Sequence, residues 1–261
     1  MKTATAAVLM ALIAAPAFAD EPPICTDRPS KANSVCTVPQ GRWQIEAEAY
    51  NLTRTEAGGV SAEFASVANT TVKYGLDSRS DVEVSWSPFV ERTARVGGVT
   101  NRASGAGDAY VRYKRRLSPD SAAVDVAVIP FLKLPTARRV FGNGAFEGGV
   151  ALPVSFPAPG GFSVALGPEI DLLVDADGEG RHANLVNLVN VSRPVTDRLT
   201  VIGEVWSAMN FDPSGRTGQA SADFALAWAV SGNAQLDAGA NFGLTGDTPD
   251  WQIYFGASRR F

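Results

Sequence analysis

The chain has 261 residues, 23 Lys or Arg against 27 Asp or Glu, a net charge of −4 and a single histidine. A nucleic-acid partner calls for a basic face, which this balance excludes. A helical membrane span is excluded past Ala19, because charged, Gly or Pro residues break every apolar run well short of the roughly 20 residues a helix needs.

In chain order, residues 1–19 read as a secretory signal: Lys2 is the positive end, 6–15 is apolar, and Ala17-Phe18-Ala19 is a small-x-small cleavage site before Asp20. The mature protein is thus expected to be exported. Residues 20–40 follow as a polar, Pro-rich segment carrying both cysteines, Cys25 and Cys36. In an oxidising compartment a disulfide is the favoured reading. A metal site lacks ligands, since two thiols with no nearby His fall short of four, and lipoprotein attachment fits poorly because Cys25 lies beyond the cleavage site. The segment reads either as a periplasmic leader or as a plug. A cross-link favours an ordered role, because a structureless tail gains little from one, and Arg28 is placed to pair with an acid such as Glu46.

From Gly41 the chain alternates in segments of about ten residues, the length of a tilted strand crossing a bilayer. Trp43, Ile45, Ala47 and Ala49 oppose Gln44, Glu46 and Glu48; Val82, Val84 and Trp86 oppose Asp81, Glu83 and Ser85. Phe224, Leu226 and Trp228 oppose Ser221 and Asp223 in the same way, while the segments around Val186 and Val201 alternate less cleanly. Tight polar turns stand at Asp77-Ser78-Arg79, Ser118-Pro119-Asp120, 157–161, Thr196-Asp197-Arg198 and Ser231-Gly232-Asn233. Between them, 53–60, 91–105, 135–144, 175–180, 212–218 and 245–250 read as longer outer loops. The last segment, 251–261, places Trp251, Ile253, Phe255 and Ala257 on one face and ends on Phe261, an ending that resembles the terminal strand of bacterial outer-membrane barrels, where such a Phe serves assembly.

The fold expected for 41–261 is all-β: an antiparallel transmembrane β-barrel of about 12 strands, with short periplasmic turns and longer extracellular loops. A soluble sandwich also alternates. It fits less well, because the apolar face is rich in Ala and because Trp43, Tyr74, Trp86, Tyr113, Trp228 and Trp251 cluster near segment ends, as aromatic girdles do.

On these faces the lumen carries Glu46, Glu48, Lys73, Asp81, Glu83, Asp108, Arg112, Lys114, Asp125, Glu169, Asp171, Glu204, Asp223 and Asp237. Two readings stand: a wet, cation-leaning passage, or a ladder of ion pairs filling a narrow barrel. Loop 135–144, with Arg138, Arg139 and Phe141, is a candidate to meet an anionic aromatic solute. An outer-membrane lipid hydrolase is the enzymatic alternative. His182 is its only candidate base, and it stands at a loop edge with no Gly-x-Ser-x-Gly motif. Asp175-Ala176-Asp177-Gly178-Glu179-Gly180 looks like a calcium loop but lacks the later Glu. No catalytic residue, cofactor or metal is therefore expected.

Several segments together resemble the family of outer-membrane transporters named for the MetA pathway of phenol degradation. Thr26-Asp27-Arg28-Pro29 and Thr37-Val38-Pro39-Gln40-Gly41-Arg42-Trp43-Gln44-Ile45-Glu46 are similar to its opening element, turn and first strand. Tyr74-Gly75-Leu76, Gly107-Asp108, Leu134-Pro135-Thr136 and Thr196-Asp197-Arg198-Leu199 resemble its middle signatures. Leu236-Asp237-Ala238-Gly239, Phe242-Gly243-Leu244-Thr245-Gly246, Asp250-Trp251 and Arg260-Phe261 resemble its end. The cysteine loop departs from the usual opening. The resemblance implies an outer-membrane protein of a Gram-negative bacterium that passes small, aromatic or hydrophobic molecules, with outer-membrane lipid, the barrel-assembly machinery and a small-molecule solute as partners. A structural barrel with a closed lumen is the other non-enzymatic reading.

Overall fold

The computed structural model describes residues 22–261; the signal sequence expected at 1–19 lies outside them. Twelve antiparallel strands close into one barrel. They are β1 (Trp43–Ala57), β2 (Val60–Asp77), β3 (Ser80–Trp86 continued by Phe89–Val96), β4 (Val99–Gly105 continued by Ala109–Arg116) and β5 (Asp125–Leu134). Next come β6 (Glu147–Ala151 with Val154–Ala158), β7 (Phe162–Leu166 with Glu169–Val174) and β8 (Arg181–Pro194). Last are β9 (Leu199–Asn210), β10 (Thr217–Ser231), β11 (Ala234–Gly243) and β12 (Trp251–Arg260). Each strand pairs with its sequence neighbours, and β1 closes on β12 from Gln44↔Arg260 to Arg54↔Trp251. An all-next-neighbour closed sheet leaves no free edge over the barrel proper.

The faces follow the two-residue period. Val84, Trp86, Leu172, Val189, Val205, Phe224, Leu226 and Phe255 point outward and are exposed, whereas Glu46, Lys73, Glu83, Lys114, Glu204 and Asp223 point inward and are buried. Apolar side chains outside and charges inside are the inverse of a water-soluble fold and suit a lipid surround. The alternation is weak around Val186 because the inner face there is itself apolar, and around Val201 because Ile202 joins the polar Thr200 and Glu204 on the inner face. Val186 and Leu188 are buried inward, beside Ala127, Ile129 and Ala151.

Two expected outer loops are strand. Residues 53–60 and 91–105 extend β1 to β4 beyond the other strands, and the chain reverses in two-residue turns at Gly58-Gly59 and Gly97-Gly98. All four glycines have positive φ, between 54° and 83°, as the tightest hairpin turns require. The chain is irregular at one level around the wall. The β1 ladder shifts between Glu48 and Tyr50, Ala68 has a φ of 57°, and β3, β4, β6 and β7 are each interrupted, three of them beside Pro88, Pro153 and Pro168. Proline offers no donor to the ladder, so breaks collect there.

Candidate functional site

Residues 26–38 lie inside the barrel, with 22–25 and 39–42 at its mouth beside Gly232 and Gly75, and the inward charges converge on the segment in three groups. The first surrounds Asp27. Its carboxylate meets the ammonium groups of Lys73 and of Lys114 (2.7 Å), which in turn reach Glu46 (Lys73, 2.7 Å) and Glu83 (3.6 and 3.3 Å). Burial pushes the Asp27 carboxyl up, but the two ammonium groups outweigh it and hold its pKa well below 3.8. The second group surrounds Arg28, whose guanidinium bonds Asp237 at 2.7 Å and Glu48 at 3.4 Å. Burial acts to lower its pKa, and these carboxylates reverse that and raise it. The third surrounds Lys31. Its ammonium donates to Asp223 at 2.8 Å and Ser221 at 2.6 Å and lies 4.6 Å from the centre of the Trp206 ring.

The wall also grips the main chain of the segment. Glu46 accepts the N–H groups of Asp27 (3.1 Å) and Arg28 (3.2 Å), Glu204 those of Lys31 (3.0 Å) and Ala32 (3.1 Å), and Asp81 that of Val38 (2.8 Å). Carboxyl oxygens are good acceptors for these main-chain donors, most strongly when ionised. Gly75 completes the seat: the Val38 and Pro39 carbonyls occupy the space a Cβ would need, so the segment lies directly on the β2 backbone. Cys25 and Cys36 are joined by a disulfide, with Cα atoms 6.4 Å apart, and the Gln44 amide donates to the Cys25 carbonyl at 2.8 Å.

The sequence-derived luminal residues therefore do not form one row. Glu46, Lys73, Asp81, Glu83 and Lys114 gather around Asp27 and Val38; Glu48 and Asp237 around Arg28; Glu204 and Asp223 around Lys31. Arg112 donates to Asn33 at 3.2 Å. Two stand apart. Asp108 is at the outer mouth, 3.6 Å from Lys133 and accepting the Ala137 N–H at 2.8 Å, and Asp125 is at the opposite rim, 2.7 Å from Arg116. The guanidinium of Arg28 goes to Asp237 and Glu48, while Glu46 takes its main-chain N–H instead. Gln44 and Ser221 stand on the polar faces read from the sequence, whereas Trp206 and Lys31 are not marked there; Trp206 shares the parity of Glu204, which marks it as inward. Phe261 lies beside the start of β1, its N–H donating to the Trp43 carbonyl at 2.8 Å.

His182 is not the solvated loop-edge residue that the sequence suggests. It is buried, with Nδ1 2.8 Å from Asp175 and 3.7 Å from Asp212, so it ties two outer loops together, and its Nε2 makes no hydrogen bond to the described residues. The Asp175 carboxylate of the calcium-like run is thus engaged with this ring.

The family described as "Putative MetA-pathway of phenol degradation" matches residues 26–261. An outer-membrane channel from Pseudomonas putida F1 superposes with a TM-score of 0.67 at 13% identity, over 87% of this chain and 98% of that one. The NanC porin (TM-score 0.53, 9% identity, 83% and 98% covered) and the β-domain of the Bordetella autotransporter Brka (0.53, 11%, 86% and 100%) share the architecture. At these identities the likeness concerns the fold. No curated protein matches the chain. With its twelve-stranded outer-membrane barrel and a family match running from Thr26 to Phe261, the chain belongs to the family of the MetA pathway of phenol degradation.

Proposed function

We propose that the protein is a non-enzymatic channel of the Gram-negative outer membrane for small, aromatic or hydrophobic molecules, and that residues 22–42 are its plug. The observation that carries this reading is the seating of the segment. Asp27, Arg28 and Lys31 each meet inward charges of the wall, and three wall carboxylates hold its main chain. A filled lumen of paired charges is closed to solute, and a segment held by polar contacts rather than by chain continuity through the sheet can leave it. Substrate class follows the family's name; the long loops face outward, as in bacterial barrels.

The test is single-channel conductance and solute uptake by refolded protein, as the full mature chain and without residues 20–40. Conductance that rises on removal of the segment supports a plugged channel. Silence in both forms favours the second reading, a structural barrel, which the density of luminal ion pairs also suits.

A further inference from the structure

The segment places one of its own side chains in what is chemically an ammonium site. Lys31 Nζ sits over the Trp206 ring at 4.6 Å, donates to Asp223 at 2.8 Å and to Ser221 at 2.6 Å, and keeps about a third of its side chain exposed (30%). An aromatic face, a carboxylate and a hydroxyl around one cation are the elements by which proteins bind amines. The surroundings hold more acceptors than Lys31 uses. Asp223 and Asn241 are direct cross-strand partners on β10 and β11, both are more than nine-tenths buried, and Asp223 Oδ1 and Asn241 Oδ1 accept no hydrogen bond from the described residues. A cavity of about 240 Å³ adjoins this cage; Lys31, Trp206, Asn241 and Gln219 line it, with Pro249 and Trp251 adding apolar surface. Lys31 is the only charged residue in that lining. If the Lys31 side chain withdraws, Asp223 loses its cation beside a space large enough for a single ring.

We infer that this cage is a binding site for a small primary ammonium with an apolar or aromatic body, and that Lys31 is its resident occupant. An incoming amine takes the place of the Lys31 ammonium, exchanging one cation for another at Trp206 and Asp223, and in doing so loosens the segment. The inference rests on the plugged-channel reading for its consequence, but binding itself does not require conduction.

The experiment uses the full mature chain in detergent and reads tryptophan fluorescence against benzylammonium, with benzyl alcohol as the uncharged control of the same shape and Trp206→Phe to assign the signal. Benzylammonium is expected to give a saturable change that is lost in Trp206→Phe and absent with benzyl alcohol. Lys31→Met, which vacates the cage, is expected to tighten binding by about tenfold or more, because a site freed of its competitor no longer divides its population. Asp223→Asn is expected to weaken binding by about tenfold or more. Equal responses to the amine and the alcohol, or unchanged affinity in Lys31→Met, would overturn the inference and leave Lys31 a strut. Conductance is recorded separately: an amine that binds while the barrel stays silent even without residues 20–40 leaves the site standing and removes the channel reading, whereas a conducting barrel with no amine response does the reverse.

Discussion

Replacing Asp27 by Asn removes the one carboxylate that the segment brings to Lys73 and Lys114. In the wall cluster that remains, both ammonium groups keep carboxylate partners, with Lys73 still 2.7 Å from Glu46, Lys114 still 3.3 Å from Glu83 and Asp81 close by. No buried charge is orphaned in the barrel, so the loss falls on docking of the segment. Two ion pairs become ammonium–amide contacts, costing roughly 2–4 kcal/mol, less than the full cost of breaking a buried pair because each lysine keeps a partner. That range is about a 30-fold to 1,000-fold rise in the undocked population. Trypsin reads it directly. The Lys31–Ala32 bond is protected while Glu204 holds both N–H groups, and Arg28 precedes a proline and resists cleavage. Cleavage tracks the open population when docking is fast. The products are reduced before mass spectrometry, since the disulfide otherwise holds the halves together. Cleavage within twofold of wild type, with the barrel's thermal transition unmoved, would refute the argument.

Three further outcomes are expected. Replacing Cys25 and Cys36 by Ser releases a cross-link spanning 11 positions and should cost the segment about 2–3 kcal/mol of order, seen as faster cleavage at Lys31 matching that of reduced wild type. Gly256→Ala puts a methyl 2.5 Å from the Arg28 guanidinium and against the Ala47 carbonyl, so Arg28 should be expelled from Asp237; a structure with that ion pair intact would contradict this. The depressed Asp27 pKa makes its contribution to docking complete above 3.8 and lost as pH falls through the lower folded value, so amide exchange protection of Arg28 should exceed that in Asp27→Asn above 3.8 and converge with it well below.

The barrel was legible because its two faces differ in chemistry at every second residue, and that contrast survives in sequence wherever lipid lies on one side and charge on the other. It fails where the contrast fails. The outer parts of β1 to β4 rise past the apolar belt, lose one-sidedness and read as loop, although Gly58-Gly59 and Gly97-Gly98 carry the hairpin signal. Around Val186 and Leu188 the inward side chains are apolar and the outward Asn187 is polar, so the contrast between faces reverses locally and parity cannot be read. The inward charges were legible as a set, but their grouping was not. Which acid receives Arg28 depends on the reach of a long side chain across the lumen to Asp237, 209 positions away, and no spacing in the sequence encodes that. Asp108 and Asp125 have inward parity yet stand at the two rims, since parity gives a face and not a height.

Half of the wall's hold on residues 22–42 is blind to side-chain identity, because Glu46, Glu204 and Asp81 read peptide N–H groups. That part of the hold accepts any residue but one: a proline at 27, 28, 31, 32 or 38 would delete a donor outright. The four prolines of the segment, at 22, 23, 29 and 39, fall on none of these positions, and two of them sit immediately after a donor. Their placement writes the register of the segment into the sequence by omission, as the gaps in a key match the wards of its lock.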